Sequence, residues 1–574
     1  MRTTSLLTAA VILIVTACGS PGRGQRRIPP RAAVSTADPI ATEIGLQVLR
    51  NGGNATDASV AIGFALAVCY PSAGNLGGGG FAVCYRPDDS AALALDFRET
   101  APAAATRDMY LDENGDVVQE RSRLGHLAVG VPGSVAGLWK LHQRLGSLPW
   151  KTLLAPAIRL ASQGVVVSPE FAADLARKEK EFARYPATAQ QFLKLDGSGY
   201  AAGDTLRQPE LAATLRRIAD DGPDGFYRGP TADAVVAEMK RGGGLITHAD
   251  LDGYEAKWRD VVSVDYRDHT VWSMPPPSSG GICLGMMLNM LGHWHSAQVD
   301  LDSASGVQRY IECARRAYAD RAAHLGDDDF YDVPREMLLS PLYAARRRAT
   351  IGPRATPSAD VQAGAAPKAE GEETTHYSVL DAQGNAVSVT TTLNFGYGSL
   401  VTVPGAGFLL NNEMDDFSAK PGVPNAYGLV GAEANAVEPG KRMLSSMSPT
   451  IVTRDGKVVL VVGTPGGSTI ITSVLQVIVR VLDQKESLAD AVRAPRIHHQ
   501  WLPDVVLYEE NPQPLPALIE DLRSHGYTMQ PRGPIGDVCA IHVGEFRIRA
   551  IADPRRRGAA GVVAVAREGA RPRD

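Results

Sequence analysis

Cysteine is scarce in this chain, with six in 574 residues, at Cys18, Cys69, Cys84, Cys283, Cys313 and Cys539. The last five are irregularly spaced and fall mostly in apolar stretches, so they read as buried free thiols rather than a disulfide framework. There is no Cys-x-x-Cys and no His-Glu-x-x-His. His293-Trp294-His295 and His498-His499 lack a second ligand pair at a useful spacing. No run of about 18 apolar residues occurs, which excludes a membrane-spanning helix. A net charge of −5, from 58 Lys and Arg against 63 Asp and Glu, leaves no basic surplus for nucleic acid. A Gly-x-Ser-x-Gly elbow is absent. The glycine run Gly77 to Gly80 is not followed by Gly-Lys-Ser/Thr, so it is not a phosphate loop.

What is present is a core-forming composition, 44% hydrophobic and 21% charged. The N-terminus reads as an export signal over residues 1–17. Arg2 is its positive start, Leu6 to Val15 its apolar stretch, and Val15-Thr16-Ala17-Cys18 resembles a bacterial lipobox. On that reading Cys18 carries the lipid and residues 18–32 form a Pro/Gly-rich tether. Ordinary cleavage after Ala17 is the alternative.

Periodicity outlines the rest. Ile40, Ile44 and Val48 predict one helix. Asn54 with Asp57 predicts the N-cap of a second, running through Ala58 to Val68. Phe81 to Tyr85 and Ala91 to Phe97 read as strands. Gly130 to Tyr318 reads as mostly helical, broken by the irregular Met274 to Gly281. Gly352 to Glu373 has Val361 as its sole large apolar residue and reads as an exposed linker. Thr374 to Leu380 and Ala386 to Leu393 predict a hairpin, Met447 to Thr453 and Lys457 to Val462 another strand pair, and 470–483 a buried helix. Strands and helices segregate, which predicts an α+β fold with sheets between helical layers.

A threonine that opens a strand just after a linker has a chemical use. Cleavage before Thr374 would put a hydroxyl and an α-amine on one residue. An α-amine has a usual pKa of about 7.7–8 and can serve as base for its own hydroxyl. From this segment alone, Thr374 reads as an ordinary strand former, as a threonine at a strand start usually is. The longer stretch TTHYSVLDAQGNAVSVTTTLNFGYG, Thr374 to Gly398, resembles the start of the small subunit in the γ-glutamyltranspeptidase (glutathione hydrolase) family. The resemblance continues through GNATDASVAIGFALAV (53–68), GNLGGGGF (74–81), ALDFRETAP (94–102), SMPPPSSGGI (273–282), LLNNEMDDFSAKPGVPNAYGLVG (409–431), KRMLSSMSPT (441–450), TPGGS (464–468) and APRIHHQWLPD (494–504). It spans essentially everything after the tether.

The resemblance implies an N-terminal-nucleophile hydrolase with a four-layer αββα core. It implies a precursor that cuts itself at Glu373–Thr374 into a large subunit, 33–373 with its linker 352–373, and a small subunit, 374–574. The two would stay together as a heterodimer. By the same resemblance Thr374 is the nucleophile, Thr392 its positioning partner, and Gly466 and Gly467 the oxyanion donors. Arg98, with Ser445 and Ser446, would take the substrate's α-carboxylate, and Asn394, Glu413 and Asp416 its α-ammonium. Tyr427 would gate a lid over Ser418 to Gly431. No metal or organic cofactor is implied. Expected partners are glutathione and γ-glutamyl compounds, with water, an amino acid or a peptide as acceptor, and the expected location is the cell envelope, anchored through Cys18. Two other readings stay open: a glutaryl- or adipyl-cephalosporin acylase on the same scaffold, and a non-catalytic peptide-binding lipoprotein.

Overall fold

The structure, a computed structural model, describes residues 31–362, 374–420 and 433–565. Two antiparallel sheets stack at its centre. One has seven strands in the order Ala559–Ala564, Arg31–Thr36, Thr374–Leu380, Ala386–Thr392, Gly79–Arg86, Ala91–Phe97 and Lys257–Arg259. The other has six, in the order Ile548–Ala552, Cys539–Val543, Lys457–Gly463, Thr450–Arg454, His269–Ser273 and Val262–Tyr266. Helices Pro39–Arg50, Ala55–Cys69 and Ser134–Leu145 cover the outer face of the first sheet. Gly280–Leu291, Ala304–His324 and Thr469–Leu482 form the layer beyond the second.

Local sequence explains the main elements. Asn54 and Asp57 close a reciprocal cap, each side chain accepting the other's backbone N–H at 2.9 Å, and this starts Ala55–Cys69. Thr469–Leu482 is buried on every face, which suits its long apolar run and exceeds the one-sided stripe its periodicity suggests. Cys69, Cys84, Cys283, Cys313 and Cys539 are free and buried.

Three expectations are corrected. The 18–32 tether overlaps a strand, because Arg31 and Ala32 already pair with Ala564 and Val563. The stretch 257–273, taken as helical, holds three strands, Lys257–Arg259, Val262–Tyr266 and His269–Ser273. The last two bury every second residue, a period-two signal that the helical surroundings masked. The linker read over 352–373 is pinned in its first half. Ser358 is buried, its N–H donates to Asp504 Oδ2 at 2.7 Å, and its carbonyl accepts from Trp501 Nε1 at 2.9 Å. Val361 is buried beside it. Backbone hydrogen bonds, invisible to composition, order a segment that has little apolar surface of its own.

Candidate active site

The hairpin of Thr374–Leu380 and Ala386–Thr392 sorts its side chains by parity. Tyr377, Val379, Val387 and Val389 pack into the helical layer. The even positions face the sister sheet: Ser378 Oγ donates to the Cys539 carbonyl at 3.0 Å and Ser388 Oγ to that of Val462 at 3.3 Å. His376 lies against Gly463, where a Cβ would stand 2.2 Å from the ring. Thr374 and Thr392 belong to this even set, and the strand register places them directly opposite each other. The Thr374 hydroxyl donates to Thr392 Oγ1 at 3.5 Å, the long limit of a hydrogen bond, and both residues are buried. Thr392 Oγ1 also accepts the Asn394 N–H at 2.8 Å. Burial drives the His376 pKa down to about 3, so its ring is neutral and bridges Thr390 Oγ1 at 2.9 Å and Ser378 Oγ at 3.1 Å.

The same end of the sheet continues sideways. Thr392 pairs with Gly79, and Gly80 pairs with Phe97, which brings Arg98 into the row. Its backbone lies three strand spacings, about 14 Å, from Thr374. The glycine run is explained here by close approach: a Cβ on Gly78 would stand 2.1 Å from the Thr392 carbonyl, and one on Gly79 2.5 Å from Glu99 Oε2.

Arg98 is fully buried and pairs with both Glu413 and Asp416, while its Nε donates to the Met443 carbonyl at 3.2 Å. Glu99 Oε2 stands 3.9 Å from the same guanidinium. Burial works against the charge on Arg98, but Glu413, Asp416 and Glu99 outweigh it and hold the guanidinium protonated. Burial in turn pushes Glu413 and Asp416 up against the pull of Arg98, and lifts Glu99 to about 7. Both Glu99 oxygens and Glu413 Oε2 have no hydrogen-bond partner among the described residues. One guanidinium thus faces three carboxylates, an arrangement able to accept a second cation alongside an anion. Asn394, at a positive φ of 77°, donates its side-chain amide to the Asn412 carbonyl at 3.0 Å, next to Glu413. This bond ties the threonine pair to the charged pocket.

Gly466 and Gly467 have φ values of 132° and 55°, and their carbonyls start the helix Thr469–Leu482. Along Lys457–Gly463, Val462 faces Ser388 and Gly463 faces His376, so the chain advances toward the Thr374 end of the hairpin. Glycine amides at a helix start are suited to stabilising a negative oxygen. Ser445 and Ser446 lie in the adjoining segment: the Ser445 carbonyl accepts from Ser279 N and Oγ, both at 2.7 Å, and Ser446 Oγ accepts from Arg321 at 3.2 Å. Glu373, Tyr427 and Cys18 lie outside the described residues.

Sequence reasoning missed Arg321, Ser279, Tyr318 and Asp537. The Tyr318 hydroxyl donates to the Ser468 carbonyl beside the glycine pair, and Asp537 donates its N–H to Thr464 Oγ1 at 2.7 Å. Arg321 and Tyr318 sit three apart on Ala304–His324, a helix that buries Glu312, Arg315, Arg316, Asp320 and Arg321 despite their charge.

A family model described as Gamma-glutamyltranspeptidase matches residues 41–563. The chain belongs to that family. It is 48% identical over 541 residues to a glutathione hydrolase proenzyme of Pseudomonas aeruginosa, covering 92% of this chain and 94% of the relative. It is 45% identical over 524 residues to the Escherichia coli protein of the same name, covering 91% and 90%. Among solved structures, a cephalosporin acylase from Bacillus halodurans superposes with a TM-score of 0.82 at 26% identity, over 96% of this chain and 99% of that one. Helicobacter pylori γ-glutamyltranspeptidase superposes with a TM-score of 0.56 at 42% identity, over 57% of this chain and 93% of that one. The stacked sheets between helical layers are the N-terminal-nucleophile hydrolase sandwich that the family resemblance implied.

Proposed function

We propose that this member of the γ-glutamyltranspeptidase family is a self-cleaving proenzyme that transfers the γ-glutamyl group of glutathione or a γ-glutamyl amide to Thr374, and then to water or to an amino-acid or peptide amine. The observation that carries the reading is the Arg98–Glu413–Asp416 cluster, whose arginine continues the strand-end row that runs from Thr374 through Thr392 and Gly79. A donor with one free α-carboxylate and one free α-ammonium matches that charge pattern. The carboxylate replaces the acids at Arg98, and the ammonium takes the acids released.

In processing, Thr374 Oγ attacks the Glu373 carbonyl, its proton passes to the departing nitrogen as the C–N bond breaks to leave an ester and free the Thr374 α-amine, and water then hydrolyses the ester to restore the Thr374 hydroxyl and leave Glu373 as a carboxylate. In turnover that amine takes the proton from Thr374 Oγ as the oxygen attacks the γ-carbonyl. Gly466 and Gly467 amides stabilise the developing oxyanion, and the leaving amine takes the proton. Thr392 holds the nucleophile oxygen in register. Water or an acceptor amine then breaks the ester. The large and small subunits, divided at Glu373–Thr374, remain one sandwich because the Thr374 strand pairs with Arg31–Thr36 on one side and its hairpin with Gly79–Arg86 on the other. Tyr427 as a lid residue, and export with a lipid on Cys18, belong to the same proposal and rest on the sequence pattern.

The fold likeness to the cephalosporin acylase favours one other reading, a glutaryl donor. Such a donor has no ammonium for Glu413 and Asp416. Hydrolysis of γ-glutamyl-p-nitroanilide is expected to exceed that of glutaryl-p-nitroanilide by at least about tenfold in kcat/KM. Thr374→Ala is expected to leave one uncut, inactive chain. Preference for the glutaryl donor, or a cut and active Thr374→Ala protein, would overturn the proposal.

A further inference from the structure

Four consecutive residues, Met443 to Ser446, are gripped by two buried guanidinium groups. From one side Arg98 donates Nε to the Met443 carbonyl at 3.2 Å and Nη2 to the Leu444 carbonyl at 3.5 Å. From the other, Arg321 donates Nη2 to Ser446 Oγ at 3.2 Å and Nε to Ser279 Oγ at 2.8 Å. Ser279 passes the contact on, its hydroxyl donating to the Ser445 carbonyl at 2.7 Å. The neighbouring Ser278 hydroxyl donates to the Met447 carbonyl at 2.6 Å, which fixes the far end of the segment. Arg321 is only 4% exposed and projects from a helix that belongs to the layer beyond the second sheet.

A hydroxyl has one proton and two acceptor positions. Accepting the Arg321 N–H turns the Ser446 proton away from the arginine, in the sense required to donate to an anion. Arg321 also acts on Asp416: burial pushes that carboxyl up, Arg98 pulls it down, and Arg321 adds to the pull of Arg98. Two positive groups thus flank the serine pair.

We propose that Arg321 is a positioning residue that aligns the Ser445–Ser446 pair and makes the site selective for donors with a free α-carboxylate, an inference that rests on the γ-glutamyl-transfer reading above. Arginine suits the task because Nε and Nη2 reach two separate hydroxyls from one rigid plane, which a lysine ammonium does not reproduce.

The test compares two chromogenic donors on the purified, processed protein: γ-glutamyl-p-nitroanilide, and the same anilide with its α-carboxylate capped as the amide. Arg321→Met is expected to lower kcat/KM for the free-carboxylate donor about tenfold or more, chiefly through KM. The capped donor should change by less than about threefold, with Arg321→Lys lying between wild type and Arg321→Met. Ser446→Ala should show the same selective loss, and Arg321→Met added to Ser446→Ala should cost little more. Equal loss on both donors, no loss on either, or fully additive effects of the two substitutions would overturn the role of Arg321. If Arg321→Met does not fold, the Arg321→Lys and Ser446→Ala pair, alone and combined, decides the same question. A wild-type protein that cuts neither donor refutes the γ-glutamyl reading itself, which separates the two failures.

Discussion

Around Thr374 the side chains nearest the hydroxyl are neutral and held by strand register; around Arg98 they are charged and held by one another. Thr374, Thr392, His376 and Thr390 owe their places to the backbone ladder, which fixes which residues oppose and which face they take. Arg98, Glu413 and Asp416 come from a strand end and a short helical turn, and their places depend on charge balance in a buried pocket. On the proposed function, the comparison teaches that one end of one sheet separates two tasks: bond chemistry would rest on rigid geometry, and recognition on exchangeable ion pairs. Substitutions should therefore damage the two regions differently.

The largest effect is expected in the charged region. Arg98→Met leaves Glu99, Glu413 and Asp416 buried without their cation, and should destabilise the protein by about 3–5 kcal/mol in denaturant unfolding. Adding Glu413→Gln should return part of that loss. No recovery would show that the region is held by packing rather than by charge. A smaller effect is expected in the hairpin. Thr392→Ala should lower turnover about tenfold while changing stability by less than about 1.5 kcal/mol, and Thr392→Ser should restore most of the rate. A stability loss as large as that of Arg98→Met would erase the contrast between the regions.

The smallest effect concerns Asp537, beside the glycine loop. Burial lifts its pKa from 3.8 to about 7, and neither side-chain oxygen has a hydrogen-bond partner among the described residues. The folded protein binds that proton more tightly than the unfolded chain. Its contribution to stability is therefore complete below about pH 4 and is lost as pH rises through about 7. Asp537→Asn should raise the unfolding temperature by about 2 °C or more at pH 8 and not at pH 4. An equal shift at both pH values would contradict the assignment.

Much of the hairpin was legible because two short runs rich in β-branched residues flank the Gly384-Asn385 turn. The site residues Arg98, Glu413 and Asp416 were legible only through family resemblance, and even so as separate receptors for opposite charges. Their pairing with each other depends on two segments distant in sequence meeting, which no local pattern records. Arg321 was hidden for a related reason: a charged residue among other charges on a helix reads as solvated until the packing of Ala304–His324 is known. The first half of the 352–373 segment was misread because Ser358 is anchored through its backbone and through its hydroxyl, which donates to the Trp501 carbonyl, and composition carries no trace of either.

The most direct test is N-terminal sequencing of a purified, fully active preparation. The account predicts a second chain start reading Thr-Thr-His-Tyr-Ser from Thr374, in amounts equal to the large subunit. An active preparation that is one continuous chain through Glu373 and Thr374 would contradict it.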